Sequence, residues 1–447
     1  MKRRDVSAWR FWGMVWALGV AGQLCWNMEN QWFNTFVYAK IAKDPTIISW
    51  MMGFSAAATT VSTFLFGTWS DRVGRRKPFV VYGYILWGVF TIVFGLAQFL
   101  SAAGTPAAIV GAGIAAVAAD TVMSFFGSTG NDAGFNAWMN DNMTPDNRGQ
   151  IGAAIATQPI IGTIFGTIVG GLLVGSRDNY LLLFSVMGGL VIVLGLVALA
   201  RMKDAATLKP SVKGTFRQQF LSVFNFKRYI AMKELVWVNL TLSAYFIAFN
   251  MYFTHIGNYV IYYLGFSADK MGLIEGLALI AAMAVVIPTS ALINRNKSPL
   301  LCALSIITNF AGVMLLGLFV RPGNVDTSSL FNPVLLLGVF LIGVGYVLFL
   351  QTITVWSKEL YPADARGQFE GIRILFFVLI PMVVAPLLAN PIIKRSGAFI
   401  DADGFTAYLP TYVLFLAAGG LIMLTFVPLY FASRLYGRRL KDAARRS

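Results

Sequence analysis

Gly67-Thr-Trp-Ser-Asp71-Arg72-Val-Gly74-Arg75-Arg76-Lys77-Pro-Phe reads G-x-x-x-D-R-x-G-R-R-K and lies between two long apolar runs. Short loops rich in Lys and Arg stay on the cytoplasmic side of a membrane. The stretch therefore predicts a cytoplasmic hairpin joining two membrane-length segments. The composition around it agrees. The chain has 447 residues, 57% hydrophobic and 12% charged, with a mean hydropathy of +0.68. A soluble domain carries about twice that charged fraction. Apolar runs of ~18 residues or more recur throughout, and each reads as a transmembrane helix. Twelve spans are expected, at 11–38, 47–69, 78–100, 107–139, 149–174, 180–201, 229–263, 270–293, 299–320, 333–357, 370–393 and 409–432. The runs from 11, 107 and 229 exceed what a bilayer needs, which predicts tilt, kinks or polar inner faces.

Lys2-Arg3-Arg4 precedes the first run, but that run is too long for a signal-peptide core and has no small-residue cleavage site, so it is expected to stay as span 1. Cys25 and Cys302 both lie inside apolar runs; they imply no disulfide framework and read as buried thiols. A net charge of +15 could suggest nucleic acid, but its distribution argues otherwise. With the N-terminus inside, Lys40, Lys43, Arg177, Lys270, Arg321, Lys394 and Arg395 fall on the outer side. Lys233 and Arg373 fall within or at the start of spans, and the rest of the 35 Lys and Arg are cytoplasmic. That is the asymmetry of an N-in, C-in membrane protein. The basic tail from Arg434 to Arg446 is expected to touch anionic headgroups, so lipid and not nucleic acid is the expected partner. A single histidine and two distant cysteines leave no metal site of the usual spacing. No Walker-type loop suggests ATP drive, and no enzymatic constellation or cofactor is expected.

The chain repeats itself. Trp138-Met-Asn-Asp141-Asn-Met-Thr-Pro-Asp146-Asn-Arg148-Gly149-Gln150 returns 218 residues later as Trp356-Ser-Lys-Glu359-Leu-Tyr-Pro-Ala-Asp364-Ala-Arg366-Gly367-Gln368. Both read W-x-x-[DE]-x-x-x-x-D-x-R-G-Q, and they end spans 4 and 10. Two six-helix halves are therefore expected, as parallel repeats. They are placed at 1–202 and 229–447 and joined by a basic cytoplasmic linker, 203–228. The charged hairpin has only a degenerate partner in Asn294-Arg295-Asn296-Lys297.

These motifs resemble those of major facilitator superfamily transporters. The hairpin is similar to the loop between their second and third helices. Glu359-Leu-Tyr-Pro-Ala-Asp-Ala-Arg366-Gly is similar to the E-x-Y-P-x-x-x-R-G pattern after the tenth helix of many carriers. The resemblance implies an all-α membrane protein of two pseudo-symmetric six-helix bundles rocking about a midplane site. Asp71, Arg72, Gly74, Arg75, Arg76, Asp141, Arg148, Glu359, Arg366, Glu370 and Arg373 then form a cytoplasmic charge layer that can hold one state closed and part in the other. Glu370 and Arg373, at i,i+3, can pair. The competing reading is a set of solvated anchors that only fix topology. The motif favours the gate for Asp71 and Arg72; for Arg75, Arg76 and Lys77 topology alone serves equally well.

An ionisable residue within a span costs about 2.5–3.5 kcal/mol and needs a reason. Glu29 in span 1 and Asp120 and Asp132 in span 4 stand out, with Glu275 and His255 nearer outer ends. Gln23, Asn27, Asn30 and Asn34 fall on one helical face, with Trp26 beside them and Glu29 on the flank. Such a stripe cannot face lipid. It is read as a cavity wall, with interhelical bonding as the alternative. Asp120, Ser124, Gly127, Asn131 and Trp138 share a face of span 4, and a regular helix puts Asp132 about 120° away. Gly127, Gly130 and Gly134 allow a neighbouring helix close. Tyr245, Tyr252 and Tyr259 in span 7 and Tyr346, Gln351 and Thr354 in span 10 add rings and amides, a combination that suits a polyhydroxylated solute. Packing and interface belting are the plainer account of any one tyrosine.

Cys25-Trp-Asn-Met-Glu29-Asn-Gln-Trp-Phe-Asn-Thr-Phe-Val is similar to the first helix of proton-coupled sucrose-type carriers, and Asn131-Asp132 through Trp138 to the fourth helix of melibiose-permease-like glycoside–cation symporters. The resemblance implies a substrate or proton role for Glu29 and a cation-site role for Asp132. Poorly hydrated in the Gly-rich inner part of span 4, Asp132 is the expected coupling residue, with Glu29 as its rival. Melibiose-type carriers place a carboxylate pair on the second helix, and span 2 here has none before Asp71. A proton needs only one carboxylate, whereas sodium needs several oxygens, so a proton is the favoured coupling ion and sodium the alternative. The expectation is a monomeric, multi-pass plasma-membrane or inner-membrane carrier, a sugar or glycoside symporter. Its solute would meet Gln23, Trp26, Asn27, Glu29, Asn30, Asn34, Asp120, Asn131, Tyr252 and Gln351. The alternative is a proton-antiporting exporter of amphipathic compounds, which Met51, Met52, Met123 and Met251 keep open.

Overall fold

The structure is a computed structural model that describes residues 6–144, 146–211, 214–222, 226–293, 297–362, 366–402 and 404–445. It divides into two compact units, Met1–Phe220 and Leu221–Ser447. In the first, span 1 is Val6–Lys40, followed by spans 2 to 6 at Pro45–Val73, Lys77–Ser101, Pro106–Asp141, Gly149–Val174 and Tyr180–Arg201. Short helices Phe216–Ser222 and Phe226–Ala231 follow. Spans 7 to 12 are Lys233–Tyr263, Ala268–Thr289, Ser298–Phe319, Pro333–Glu359, Phe369–Ser396 and Tyr412–Asp442. A small hairpin pairs Ala398–Ile400 with Thr406–Tyr408 between the last two.

Among the described residues, eleven helices are long and apolar enough to cross a membrane. Span 1 is not one of them. Gln23, Asn27, Glu29, Asn30, Gln31 and Asn34 lower its hydropathy, although at 35 residues it is long enough. The all-α, multi-pass membrane architecture expected from the sequence is therefore present. The repeat shows in the packing of each unit. Span 1 packs on span 5, 2 on 4, 3 on 4 and 3 on 6; in the second unit span 7 packs on 11, 8 on 10, 9 on 10 and 9 on 12.

Local chemistry sets the helix ends. Asp44 accepts the backbone N–H of Thr46 at 2.9 Å ahead of Pro45, an N-cap with proline at the first turn. Span 2 ends on Gly74 at φ 66°, with its N–H on the Ser70 carbonyl, the left-handed cap that glycine adopts without strain. Two boundaries differ from expectation. Span 7 begins at Lys233 because Met232 leaves helical geometry (φ −89°, ψ 70°). Span 12 runs on through the basic tail after a local break at Thr425.

The larger correction concerns span 4. Thr129–Phe135 is a π-helical turn, as are Tyr259–Tyr263 in span 7 and Leu375–Leu379 in span 11. A π turn inserts a residue and resets the faces that a uniform period assigns. It occurs where span 4 meets span 3 backbone to backbone: a Cβ on Gly83 would lie 2.4 Å from the Gly130 Cα.

Gly83→Ala and Gly130→Ala should therefore each destabilise the protein by about 1–3 kcal/mol through overpacking, seen as a lower melting temperature. Gly111→Ala, where a methyl would meet nothing within 4 Å, should be neutral or stabilising by ~0.5–1 kcal/mol. Equal melting temperatures in all three variants would show that the close approach contributes no packing energy.

Candidate functional site

The polar core of the first unit is built by spans 1, 2, 3 and 4. Glu29 is 8% exposed and Asp120 1%. The Ser124 hydroxyl, one turn from Asp120, lies 2.9 Å from Glu29 Oε1 and 2.8 Å from the Asp120 backbone carbonyl, and can donate to either. Ser55 of span 2 stands beside the same carboxylate. Glu29 Oε2 and Asp120 Oδ1 are buried with no hydrogen-bond partner. Asp132 is different. It is half-buried, and Ser128 Oγ donates to its Oδ2 at 3.0 Å and Asn131 Nδ2 to its Oδ1 at 3.1 Å. Tyr84 of span 3 is within 3.1 Å of Asn131 Oδ1, and Thr63 of span 2 meets Ser128 at 2.6 Å. Asn131 and Asp132, which a helical wheel puts on separate faces, thus share one network within the π turn. Glu29 is an electrostatic neighbour of both aspartates. Among the described residues no basic side chain pairs with any of the three.

The amide stripe of span 1 divides. Asn27 Nδ2 donates to Thr167 Oγ1 of span 5 at 3.3 Å, and Thr167 donates to Gln31 at 2.9 Å. Gly166 makes this approach possible, since a Cβ there would lie 2.4 Å from Asn27 Oδ1. Asn27 is therefore an interhelical tie and not only a wall residue. Gln31, which the sequence reading passed over, belongs with it and was findable one turn on from Asn27. Asn30 donates to the Trp26 carbonyl at 2.7 Å and Asn34 to the Asn30 carbonyl at 2.8 Å. Gln23, Trp26 and Asn30 remain half-buried, with the Trp26 ring 4.9 Å from that of Trp87.

In the second unit Tyr252 is fully buried and donates to Asn309 at 3.2 Å, a packing role. Tyr245 stacks on Phe349 at 3.8 Å and Tyr346 on Phe249 at 4.7 Å. The Tyr245 hydroxyl, Gln351 Oε1 and His255 Nδ1 are buried without partners.

The cytoplasmic end of the first unit centres on Arg76. It is 6% exposed and reaches Asp71 at 2.6 Å, Asp141 at 2.7 Å and Ser70 Oγ at 2.5 Å. Burial opposes its charge, but the bonds to Asp141 and Asp71 outweigh burial and hold its pKa above the ordinary value. Arg72 turns to the linker, donating to the Gly214 carbonyl at 2.9 Å and Gln219 Oε1 at 3.1 Å. Arg75 is exposed. Asp204, unremarked in the sequence, accepts the backbone N–H groups of Arg76 and Lys77 at 3.0 and 2.9 Å. Trp138 donates to the Lys203 carbonyl at 2.8 Å. Its repeat partner Trp356 donates to Glu234 at 2.9 Å. Arg439, read from sequence as a headgroup contact, bonds Glu234 at 3.1 Å and lies 3.9 Å from Glu359. Glu370 and Arg373 pair at 2.7 Å, and Tyr361 donates to Glu370 at 3.0 Å. The side chains of Arg148 and Arg366 lie outside what the structure describes.

A family model described as Major Facilitator Superfamily matches residues 15–386. The chain belongs to the Major Facilitator Superfamily. The curated Ascochitine biosynthesis cluster MFS transporter of Didymella fabae is 24% identical over 193 residues, 39% of this chain. The match spans 31% of that relative's length. Solved superfamily structures share the fold at low identity. A bacterial homolog of the human lysosomal transporter Spinster, inward-facing and unoccupied, is 12% identical, with 98% of this chain and 99% of that chain covered and a TM-score of 0.69. A variant of the nucleoside transporter NupG is 13% identical over 94% and 99%, with a TM-score of 0.67. The POT family transporter PepTSo is 12% identical over 95% and 98%, with a TM-score of 0.66. Transporters of this superfamily bind small-molecule solutes.

The Arg76 cluster yields a direct comparison. Breaking a buried pair costs about 3–5 kcal/mol. Here Asp71 is 47% and Asp141 22% exposed, so solvent screening reduces the cost of Arg76→Gln to about 1–3 kcal/mol. Arg72→Gln, which loses bonds to neutral linker groups, should cost under ~1.5 kcal/mol. Thermal unfolding of purified protein ranks the two; the reverse order would return the centre of the cluster to Arg72.

Proposed function

We propose that this transporter is a cation-coupled secondary carrier of the plasma or inner membrane, working as a monomer by alternating access, with a proton as the favoured coupling ion and sodium as the alternative. The observation that carries the reading is the group of carboxylates Glu29, Asp120 and Asp132 in one polar core, with no basic partner among the described residues. Uncompensated acids at membrane depth are costly, and a carrier that binds and releases a cation each cycle gives them a use. Asp132 has donors on both oxygens, whereas Glu29 keeps one open. This favours Glu29 over Asp132 as the coupling residue.

A sugar or glycoside is the proposed solute. Half-buried Gln23, Trp26 and Asn30 of the first unit supply a ring face and hydrogen-bonding groups, and the melibiose-permease-like resemblance of spans 1 and 4 points the same way. The charged cytoplasmic clusters around Arg76, Arg439 and Arg373 are proposed to hold and release the gate. A second reading, export of amphipathic compounds by proton antiport, is favoured by the stacked rings of Tyr245, Phe349, Phe249 and Tyr346.

Proteoliposomes with an imposed pH or sodium gradient and a panel of mono- and disaccharides test the reading. The wild type should accumulate a saccharide along the gradient. Glu29→Gln should lose accumulation by at least ~tenfold while exchange stays within about twofold, because coupling and binding are separable free energies. Asp132→Asn should retain accumulation. Accumulation surviving in Glu29→Gln and lost in Asp132→Asn would return coupling to Asp132. Solute-driven proton movement of opposite sign would establish export.

A further inference from the structure

We infer that Glu29, Asp120, Ser124 and Ser55 form a seat for one monovalent cation, a proton or Na+, distinct from the Asp132 network. The inference rests on the coupled-carrier reading and assigns its cation to a place. Asp120 is the new element: the sequence put it among solute contacts, yet at 1% exposure it is too enclosed to meet a solute.

The geometry separates the acids. Asp132 is complete, with Ser128 and Asn131 each donating to one oxygen. Glu29 and Asp120 are not. Each presents a fully buried oxygen, Oε2 and Oδ1, that no hydrogen bond reaches. An acceptor out of water and without a donor carries a full desolvation penalty. A proton on one carboxyl, or a small cation between the two, removes that penalty. The two carboxylates are electrostatic neighbours, and Ser124 lies beside them, with its oxygen 2.9 Å from Glu29 Oε1 and 2.8 Å from the Asp120 backbone carbonyl. Its single hydrogen can serve either one, so the hydroxyl can turn its oxygen to a cation at Glu29. Ser55 hydrogen-bonds the Glu29 carboxylate and makes only a long 3.4 Å bond to the Met52 carbonyl of its own helix, so its oxygen is held at the seat.

The surroundings bound the charge of the occupant. Among the described residues, no group of three or more His, Cys, Asp or Glu gathers as a multivalent metal would require. The titratable groups that act on the pair are Cys25 on span 1 and Asp132 on span 4. None is basic, so among the described residues no side chain offsets the two carboxylates, and a bound cation would.

The test reads ion binding directly and needs no solute. Melting temperatures of the purified full-length protein are measured from pH 5 to 9, with NaCl and with choline chloride at matched ionic strength. Ligand binding to the folded form raises the melting temperature by mass action. If the occupant is Na+, the temperature rises with NaCl and not with choline chloride. If it is a proton, the folded protein binds a proton that the unfolded chain does not hold at the same pH, so the temperature rises as pH falls. Glu29→Gln and Asp120→Asn should each abolish that dependence, Ser124→Ala should weaken it about tenfold in apparent affinity, and Asp132→Asn should leave it intact. Should Asp120→Asn fail to fold, Ser124→Ala and Glu29→Gln still decide the question. A dependence unchanged in these variants, lost in Asp132→Asn alone, or absent from the wild type for both ions overturns the seat. Ion dependence that follows Glu29 and Asp120 in a protein that accumulates nothing along either gradient would overturn the carrier reading and leave the seat standing.

Discussion

Inside a hydrocarbon layer a polar group must find its partner within the chain, and the interior of the first unit is arranged around that constraint. Ser62 and Thr63 on span 2 meet Thr129 and Ser128 on span 4 at 2.6 Å each. Asn27 and Gln31 on span 1 share Thr167 of span 5. Tyr84 of span 3 reaches both the Leu18 carbonyl and Asn131. Such bonds require helix axes to approach closely, and glycines at 83, 130, 162 and 166 occupy the crossings, where a Cβ would lie 2.4 to 2.9 Å from the nearest neighbouring atom. Small residues and polar ties are thus two parts of one solution. The Trp87 indole N–H and the open oxygens of Glu29 and Asp120 lack such a partner, and the two acids are the proposed seat of the cation.

The two units meet the same demands with different residues. Both place a buried tryptophan at the inner end of the fourth helix of the unit, Trp138 and Trp356, and both aim its indole N–H at an oxygen near the start or end of the linker region. The arginine that gathers acids comes from the loop after span 2 in the first unit and from the helix that extends span 12 in the second. Repeat symmetry preserves the helix pairing, while the charge clusters are local to each unit. In the first unit, Asp204, Lys203, Ser211 and Gly214 of the linker bind the loop at 71–77 and Trp138. The linker up to Phe220 therefore belongs to that unit.

The sequence by itself determined the membrane architecture, because hydrophobic run length and the placement of Lys and Arg are properties of composition along the chain. It also exposed the repeat through Trp138 and Trp356, and it singled out Glu29, Asp120 and Asp132, because an acid in an apolar run is conspicuous without any geometry. Tertiary structure alone decided which of these groups are satisfied. Asn27 is tied to Thr167, 140 residues away. Arg76 and not Arg72 holds Asp71 and Asp141, and Arg439 answers Glu234 across 205 residues. The π turn at Thr129–Phe135 altered the faces of span 4, which a constant 100° per residue could not anticipate. A hydrogen bond depends on atoms brought together by packing, and the partners here are separated by whole helices, beyond the reach of any local periodicity.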